Sequence, residues 1–377
     1  MSLFDGLPEP VAEDSILKRK SVDDVPDTEI PTAKKPLIDL ISILVGEAAE
    51  KGERIEMQDC HLKILNFTDQ ISNGAYSGEA QRICLFGVFD GHGGARAAEF
   101  AKQYLPKHLA SKFPSGSLAQ IERDIKLITL DAYKNTDEEF LKEAARSRPH
   151  LKDGSTATTV LLVNNTLYIA NIGDSSAVIA RCNEQKSSDF PKPSLTALQV
   201  TRDHTPLDPG ERERLSRLPG VRIVDGRING QLEVSRSFGD YQYKRQGVSC
   251  LPDVKKYELL HERDRFMLIA CDGLWKCFTP QEAVEKVSQL ICANPLLKQF
   301  VTGKECQVES RGLQRALNGV CLELVREAIL HRLSGDNVTC LLLLFGQNSN
   351  VVTVATDDAS KEDIKGKLED CVKPPAE

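Results

Sequence analysis

The sequence predicts an α+β protein with a central antiparallel β-sandwich, flanked by α-helices on both sides in four layers, α/β/β/α. Short apolar runs rich in β-branched residues indicate buried strands, and longer amphipathic segments indicate helices. These segments do not alternate as βαβ units, which argues against a parallel sheet. Two layers of strands with helices outside account for this mixture of elements.

Six runs are predicted to be strands. The dipeptide Asn164-Asn165 lies between the second and third runs and fits a two-residue hairpin turn that needs positive φ. We therefore expect these two strands to pair in antiparallel fashion. The six runs are 83–89, 156–163, 166–172, 177–181, 266–271 and 338–345.

Helices are indicated by their start signals and apolar faces. Thr279 is followed by Pro280 and by Glu282 three residues on, which is the pattern of a capped first turn. Ser117 with Gln120 marks a second start, and the following apolar residues recur on one helical face. One predicted helix begins at about residue 118. A second covers 280–293, and a third covers 313–332 and stops near Gly335.

Composition divides the chain into a globular part, 37–346, and two polar tails. Residues 1–36 are Pro-rich, lack hydrophobic periodicity, and contain the basic patches Lys18-Arg19-Lys20 and Lys34-Lys35. The patches could form a bipartite nuclear import signal, although short basic clusters also arise by chance on solvated tails. Residues 347–377 form the second tail. No secretory signal is recognisable, so we expect a cytoplasmic location, and a nuclear one as well if the patches act as an import signal.

The overall composition argues against several classes of protein. With 41% hydrophobic and 27% charged residues, and no long apolar run, the chain is expected to be soluble and not to bind membranes. A net charge of −7 and the lack of a basic stripe in the globular part argue against nucleic-acid binding. The 11 cysteines have no regular spacing, which indicates reduced thiols rather than disulfides or a zinc module. A monomer is the default expectation.

Four aspartates at the ends of predicted strands are candidate metal ligands: Asp90, Asp174, Asp272 and Asp336. Each has a glycine beside it, which lets the backbone approach an ion, and carboxylates suit hard cations such as Mg²⁺ or Mn²⁺. A single Asp-Gly pair is usually only a turn. Four such sites favour a cation, because clustered carboxylates destabilise one another unless their charge is neutralised.

Three further residues are candidates for the same site. Arg54 offers a planar five-donor cation to an oxyanion, although a surface ion pair is the simpler reading. Asp59 adds a fifth acid nearby in the sequence. His92, which lies among glycines in Asp90-Gly91-His92-Gly93-Gly94, is expected to be exposed and could donate a proton near neutral pH, or could be only a loop residue.

These residues belong to a set of motifs that follow one another along most of the globular part. The motifs are Arg54-x-x-x-Gln58-Asp59, Val88-Phe89-Asp90-Gly91-His92-Gly93-Gly94, Asp153-Gly154-Ser155-Thr156-Ala157, Asn171-Ile172-Gly173-Asp174-Ser175, Leu232-Glu233-Val234-Ser235-Arg236-Ser237-Phe238-Gly239-Asp240, Ala270-Cys271-Asp272-Gly273-Leu274-Trp275 and Asp336-Asn337-Val338-Thr339. Together they resemble the protein phosphatase 2C family. Within the family the chain is most similar to the integrin-linked kinase-associated branch, through Met57-Gln58-Asp59, Thr136-Asp137-Glu138-Glu139-Phe140-Leu141-Lys142 and Tyr243-Lys244-Arg245.

The resemblance implies a role for each site residue and two Mn²⁺ or Mg²⁺ ions with a weaker third. Asp90 would bridge the two ions, with a carbonyl ligand from Gly91 and further carboxylates from Asp272 and Asp336. Asp59 would hold metal-bound waters, and Asp174 with Asp272 would bind the third ion. Arg54 would anchor the phosphate, His92 would act as general acid, and Asn337, Asp240 and Thr156 would support the site. Residues 203–227 would form a mobile flap beside it.

The implied reaction is hydrolysis of phosphoserine and phosphothreonine by a hydroxide that two metal ions share. Two departures from the family pattern are visible: Gln58 stands where many members have Glu, and Ser176 where most have Arg. Phosphoproteins are the expected substrates, and a kinase or kinase-associated complex is the expected partner. A catalytically weak scaffold that binds a kinase or phosphoprotein is the alternative.

Overall fold

Two five-stranded antiparallel sheets form the centre of the protein. A computed structural model describes residues 39–182, 195–302 and 310–346. The predicted tails at 1–36 and 347–377, including both basic patches, lie outside the described residues. The two sheets have the strand orders β1-β15-β14-β8-β9 and β13-β7-β6-β3-β2, and we call them sheet A and sheet B.

The strands are numbered along the chain. Sheet A contains β1 (Ser42–Glu50), β8 (Ser176–Cys182), β9 (Leu195–Gln199), β14 (Asp264–Ala270) and β15 (Val338–Gly346). Sheet B contains β2 (Cys60–Ile64), β3 (Ile83–Phe89), β6 (Ala157–Val163), β7 (Thr166–Ile172) and β13 (Asp253–Glu258). A small third sheet, sheet C, joins β12 (Phe238–Gly239), β5 (Gly154–Ser155) and β4 (Gly91–His92), and β10 (Ile223–Val224) pairs with β11 (Arg227–Ile228).

Helices cover the outer faces of both sheets. The helices are α1 (Arg96–Lys112), α2 (Leu118–Arg146), α3 (Pro209–Ser216), α4 (Asp272–Trp275), α5 (Pro280–Ala293), α6 (Pro295–Thr302) and α7 (Ser310–Arg326). Side chains of α1 and α2 pack on sheet B, and those of α5, α6 and α7 pack on sheet A. A third apolar cluster fills the space between the sheets. The predicted four-layer sandwich is confirmed.

Strand β15 illustrates why this architecture needs continuous apolar runs. Leu341 and Leu343 belong to the cluster between the sheets, whereas Leu342 and Leu344 belong to the cluster under the helices. Successive side chains point to opposite faces of a strand, so a central strand covered on both faces must be apolar at every position. All nine residues of β15 are buried.

The predicted helix starts are confirmed by side-chain caps. Thr279 and Glu282 form a reciprocal capping box at α5, and Ser117 accepts a hydrogen bond from the backbone N–H of Gln120 at α2. The hairpin turn is also confirmed, with Asn164 at φ 53°. The helix predicted over 313–332 is shorter than expected, because α7 ends at Arg326 and a wider π-helical turn, Glu327–His331, follows.

Several elements were not predicted, including α1, β1, β2 and β13. Helix α1 has no side-chain cap and contains Pro106, so it lacks the usual start signal and contains a residue that normally breaks helices. Among the described helices, none is long and apolar enough to span a membrane.

Candidate active site

Strand register brings the predicted acidic residues to one cleft. Cys60 pairs with Phe89 across β2 and β3, so the residues flanking that pair, Asp59 and Asp90, lie on neighbouring strand ends. Asp272 begins α4 just after β14, and Asp336 lies two residues before β15, which is the neighbour of β14 in sheet A. The cleft has a volume of about 880 Å³, and its lining includes Arg54, Asp90, Gly91, His92, Asp174, Asp272 and Asp336.

The acidic side chains form two groups that can hold cations. The ligand atoms of Asp59, Asp90 and Cys271 lie within 4.8 Å of one another, and so do those of Asp174, Asp272 and Glu233. The sequence predicted the aspartates of both groups but neither Cys271 nor Glu233. Asp336 lies outside both groups, and its carboxylate is paired with Arg54 instead.

The acids are held in a state that disfavours their negative charge. Burial raises the pKa of Asp59 to about 6, and the nearby charges of Asp272 and Asp336 add to the increase. Burial together with Asp272 raises the pKa of Asp174 to about 7. The pKa of Asp90 is raised well above its usual range, first by burial and then by the surrounding aspartates. Lys276 partly offsets the raised pKa of Asp174, whereas neither Asp59 nor Asp90 has an ion-pair partner among the described residues.

The donor set fits hard divalent cations. Asp59 is 7% exposed, and its Oδ2 has no hydrogen-bond partner among the described residues. A buried carboxylate oxygen without a partner is costly unless a ligand or water satisfies it. Gly91 is packed so closely that an added Cβ would lie 2.3 Å from the carbonyl oxygen of Gln58. The close backbone packing at Gly91 and the oxygen-rich carboxylates match the preferences of Mg²⁺ and Mn²⁺.

His92 is oriented by a buried aspartate rather than being freely exposed as the sequence suggested. Its Nε2 lies 2.8 Å from Oδ2 of Asp240, and its side chain is 31% exposed. Burial opposes protonation of the ring, but Asp240, Asp174 and Asp272 together outweigh burial, so the pKa of His92 is raised above its ordinary value. Asp240 also accepts a hydrogen bond from the hydroxyl of Ser237. The ring therefore has a fixed direction and a stabilised protonated form.

Arg54 lies at the rim of the cleft, on the loop between β1 and β2. Its Nη2 donates to Oδ2 of Asp336 across 2.9 Å, and its side chain is 58% exposed. Asn337 holds the base of the same loop, because its amide oxygen accepts from the Gln58 N–H and its amide nitrogen donates to the carbonyls of Lys51 and Glu56. The guanidinium is thus near the acids but remains accessible to a ligand.

Comparison with known proteins agrees with this geometry. The family model "Protein phosphatase 2C" matches residues 43–332, which is more than half of the chain. The chain belongs to the protein phosphatase 2C family. The integrin-linked kinase-associated serine/threonine phosphatase 2C of Mus musculus is 42% identical over 333 residues, covering 87% of this chain and 80% of that protein. The human protein of the same name is 41% identical over the same length.

More distant members of the phosphatase 2C family agree with the assignment. A probable protein phosphatase 2C 8 from Arabidopsis thaliana is 34% identical, covering 79% of this chain and 77% of that protein. A serine-threonine phosphatase 2C from Toxoplasma gondii superposes with a TM-score of 0.57 at 22% identity, covering 80% of this chain and 94% of the other, which supports the fold. The protein is therefore a serine/threonine phosphatase of this family.

The two departures from the phosphatase 2C pattern have identifiable contacts. Gln58 takes part through its backbone N–H, which donates to Asn337 across 2.8 Å and needs no particular side chain. Ser176 donates from its hydroxyl to Oδ1 of Asp203 across 2.8 Å and accepts from the Gln199 amide. Ser176 offers Asp203 a neutral hydroxyl, no cation among the described residues pairs with Asp203, and burial raises the pKa of Asp203.

The segment predicted as the flap contains a helix and a hairpin. Helix α3 is fixed by Glu211, which is 4% exposed and accepts hydrogen bonds from Arg214, Arg236 and Ser235 at 2.6–2.7 Å. Burial alone would raise the pKa of Glu211, but these hydrogen bonds outweigh it and lower the pKa to about 2. The β10–β11 hairpin reaches the cleft through Arg227.

Glu233 connects that hairpin to the acids. Its carboxylate pairs with Arg227 and, across 3.4 Å, with Nζ of Lys276, which itself lies 2.5 Å from Oδ2 of Asp272. The sequence analysis did not single out Glu233 or Lys276. Lys276 lies four residues after Asp272 on a helical start, and that spacing was the available signal. Nothing in the sequence brings Glu233 to them, because their proximity depends on the fold.

Proposed function

We propose that this phosphatase hydrolyses phosphoserine and phosphothreonine with two divalent metal ions, Mn²⁺ or Mg²⁺, and with a weaker third. One observation carries the proposal: the carboxylates of Asp59 and Asp90 converge at the cleft with no ion-pair partner among the described residues, and an oxygen of Asp59 has no hydrogen-bond partner there. A fold that had no ligand for this cluster would be destabilised by it.

The proposed ligands are Asp90 and the Gly91 carbonyl at the centre, with Asp272 and Asp336 beside them. Asp59 would hold water next to these ligands, and Asp174 with Asp272 would take the third ion, where Glu233 is also within reach. When bound, the ions supply Lewis acidity and an activated water at neutral pH. The aspartates themselves would determine where the ions bind, and thereby where the phosphate binds.

Arg54 and His92 would carry out the remaining chemistry. Arg54 would release Asp336 and donate two parallel hydrogen bonds to the phosphate oxygens, which suits its planar guanidinium. His92, held by Asp240, would donate its proton to the departing serine or threonine oxygen. Burial lowers the pKa of His92, but Asp240 and the neighbouring aspartates raise it above its ordinary value, which favours the protonated ring that a general acid requires.

We further propose a role in kinase signalling, with association with a kinase or kinase-associated complex. The support is that the mouse and human relatives, at 42% and 41% identity, are named integrin-linked kinase-associated phosphatases. Co-precipitation with purified integrin-linked kinase would test the association. Failure to bind at micromolar concentrations would reject this part alone.

A nuclear fraction of the protein is proposed from the basic patches in the N-terminal tail. Replacing Lys18, Arg19, Lys20, Lys34 and Lys35 by alanine should shift a fluorescent fusion towards the cytoplasm. An unchanged nuclear signal would eliminate the import proposal.

The decisive experiment for function measures phosphate release from a phosphothreonine peptide. We expect activity with Mn²⁺, loss of activity after chelation, and loss in Asp90→Asn. Equal rates in all three samples would overturn the two-metal proposal. An inactive wild-type protein that still captures a kinase would favour the scaffold alternative.

A further inference from the structure

A buried ion pair joins two segments that are distant in the sequence, α2 and the turn after Asp240. Oδ2 of Asp137, in α2, lies 2.9 Å from Nζ of Lys244, in a short 3₁₀ turn. Asp137 is 3% exposed, and the Lys244 side chain is 17% exposed. Both residues lie in the segments whose sequence resembles one branch of the family. No role in the proposed chemistry has been given to either.

Asp137 and Lys244 both hydrogen-bond to the backbone of the segment just before Asp240. Oδ1 of Asp137 accepts a hydrogen bond from the backbone N–H of Gly239 at 2.8 Å, and Nζ of Lys244 donates to the carbonyl of Ser237 at 2.8 Å. These contacts lie on either side of Phe238. The peptide just before Asp240 is therefore fixed from α2.

The direction of Asp240 depends on that peptide. Gly239 and Asp240 have φ values of 71° and 51°, a conformation that few side chains favour. An added Cβ at Gly239 would lie 2.3 Å from the carbonyl oxygen of Asp153. The Asp240 N–H donates to the same carbonyl at 2.9 Å, so the turn has little room to move.

Sheet C links the same peptide to His92. In its register Gly239 pairs with Gly154, and Gly154 pairs with His92. A Cβ at Gly154 would lie 2.3 Å from both Oδ2 of Asp240 and Nε2 of His92. The Asp240 carboxylate and the His92 ring therefore contact each other directly above Gly154. A small shift of β12 would change the geometry of that contact.

We propose that Asp137 is a positioning residue for His92, acting through the Gly239 hydrogen bond and Asp240, with Lys244 as its counter-ion. The inference rests on the proposed role of His92 as the proton donor. A buried ion pair is not needed for stability alone, because well-packed apolar side chains often stabilise a protein as much. The hydrogen bonds from this ion pair to the backbone of Ser237 and Gly239 indicate that it positions that segment.

The test compares two leaving groups. A phosphothreonine peptide releases an alkoxide that needs a proton, whereas p-nitrophenyl phosphate releases a phenolate that leaves without one. We expect Asp137→Ala to lower the ratio of kcat for the peptide to kcat for the aryl ester roughly 10- to 100-fold, because small misplacements of a reacting group cost about that much. His92→Gln removes the proposed proton donor altogether, so its effect on this ratio is the largest that Asp137→Ala can reach.

A conservative variant separates positioning from stability. Asp137→Asn with Lys244→Met keeps an acceptor for the Gly239 N–H and removes both charges, so it should recover most of the lost ratio. Asp264→Asn is the matched control, because Asp264 is also a buried aspartate in an ion pair, with Arg181, on β14. It should lower the melting temperature without changing the ratio. If Asp137→Ala does not fold, Asp137→Leu with Lys244→Met, which removes the acceptor for the Gly239 N–H and replaces the ion pair by two apolar side chains, must lower the same ratio.

The outcomes distinguish this inference from the proposed function. Equal losses on both substrates in Asp137→Ala, or no recovery in the double variant, would overturn the positioning role. A wild-type protein inactive on both substrates would overturn the proposed function. An unchanged ratio in His92→Gln would remove the acid role of His92 and the inference with it.

Discussion

Arg54 donates from Nη2 to Oδ2 of Asp336 across 2.9 Å, so the proposed phosphate anchor is paired with a proposed metal ligand. The contact joins the loop before β2 to the residue that introduces β15. A cation bound by Asp336 would weaken this pair, because both would compete for one carboxylate. Metal binding would thus free the guanidinium for the phosphate.

Arg54→Ala should therefore raise KM for a phosphothreonine peptide about 10- to 100-fold, since a hydrogen bond to a charged group is worth roughly 1.5–3 kcal/mol. Arg54→Lys should recover only part of this loss, because an ammonium cannot bind in two-pronged fashion. Arg123→Ala on the exposed face of α2 is the control and should leave KM unchanged. Steady-state kinetics decide, and an unaltered KM in Arg54→Ala would contradict the anchoring role.

Asp240→Asn should lower kcat for the phosphopeptide by about 100-fold, as expected when a general acid loses its orientation and charge partner. The Mn²⁺-dependent rise in melting temperature should be retained, because Asp240 is not one of the proposed ligands. Asp90→Asn should lose both activity and this rise. A loss of Mn²⁺ stabilisation in Asp240→Asn would mean that it supports the metal site instead.

Gly91→Ala should abolish Mn²⁺ stabilisation, because the added Cβ would lie 2.3 Å from the Gln58 carbonyl oxygen and must displace the backbone beside Asp90. Gly319→Ala is the matched control. Gly319 lies in α7 with nothing within 4 Å of the added Cβ, so alanine there should stabilise the protein by about 0.5–1 kcal/mol. Thermal unfolding with and without Mn²⁺ measures both effects.

The metal-free protein should lose stability as the pH rises from about 4 to 7, because the folded state holds protons on Asp59 and Asp174 that the unfolded state has already released. Bound metal should reverse this trend, since metal binding needs the deprotonated carboxylates and strengthens with pH. Thermal unfolding in chelator and in Mn²⁺ across this range is the measurement. Asp59→Asn should weaken the pH dependence of stability measured in chelator. A pH dependence identical to that of the wild type would argue against proton uptake by Asp59 as its cause.

Glu211→Gln should destabilise the flap region by about 2 kcal/mol at neutral pH, a value reduced for partial solvent screening. The folded-state pKa of Glu211 is lowered to about 2, so its contribution is present above its unfolded pKa and is lost as the pH falls from about 4.5 to 2. The difference from wild type should therefore shrink over that range. Glu213→Gln, on the exposed side of α3, is the control and should have little effect.

The sequence was most informative where local chemistry determines local structure. The apolar run of β15 and the capping box at Thr279 each specify an element without help from the rest of the chain. Helix α1 could not be predicted in this way, because it has no cap and contains Pro106, and its burial against sheet B holds it together.

The same division applies to the site. Aspartates beside glycines at strand ends were visible as candidates, and the order of the motifs supplied their roles. The contacts of Glu233 with Arg227 and Lys276, and that of Asp137 with Lys244, join residues far apart in sequence. Such pairs depend on the packing of the flap and of α2, which residue patterns alone do not encode.

Strand β15 has a consequence for the order of events during synthesis. It lies between β1 and β14, yet it is made almost 300 residues after β1, so a nascent chain lacks the strand that joins β1 to the rest of sheet A until Val338–Gly346 emerges from the ribosome. Asp336 and Asn337 enter at the same moment. We therefore expect partly synthesised chains to lack phosphatase activity and to expose unpaired strand edges, which favour aggregation, until β15 is added.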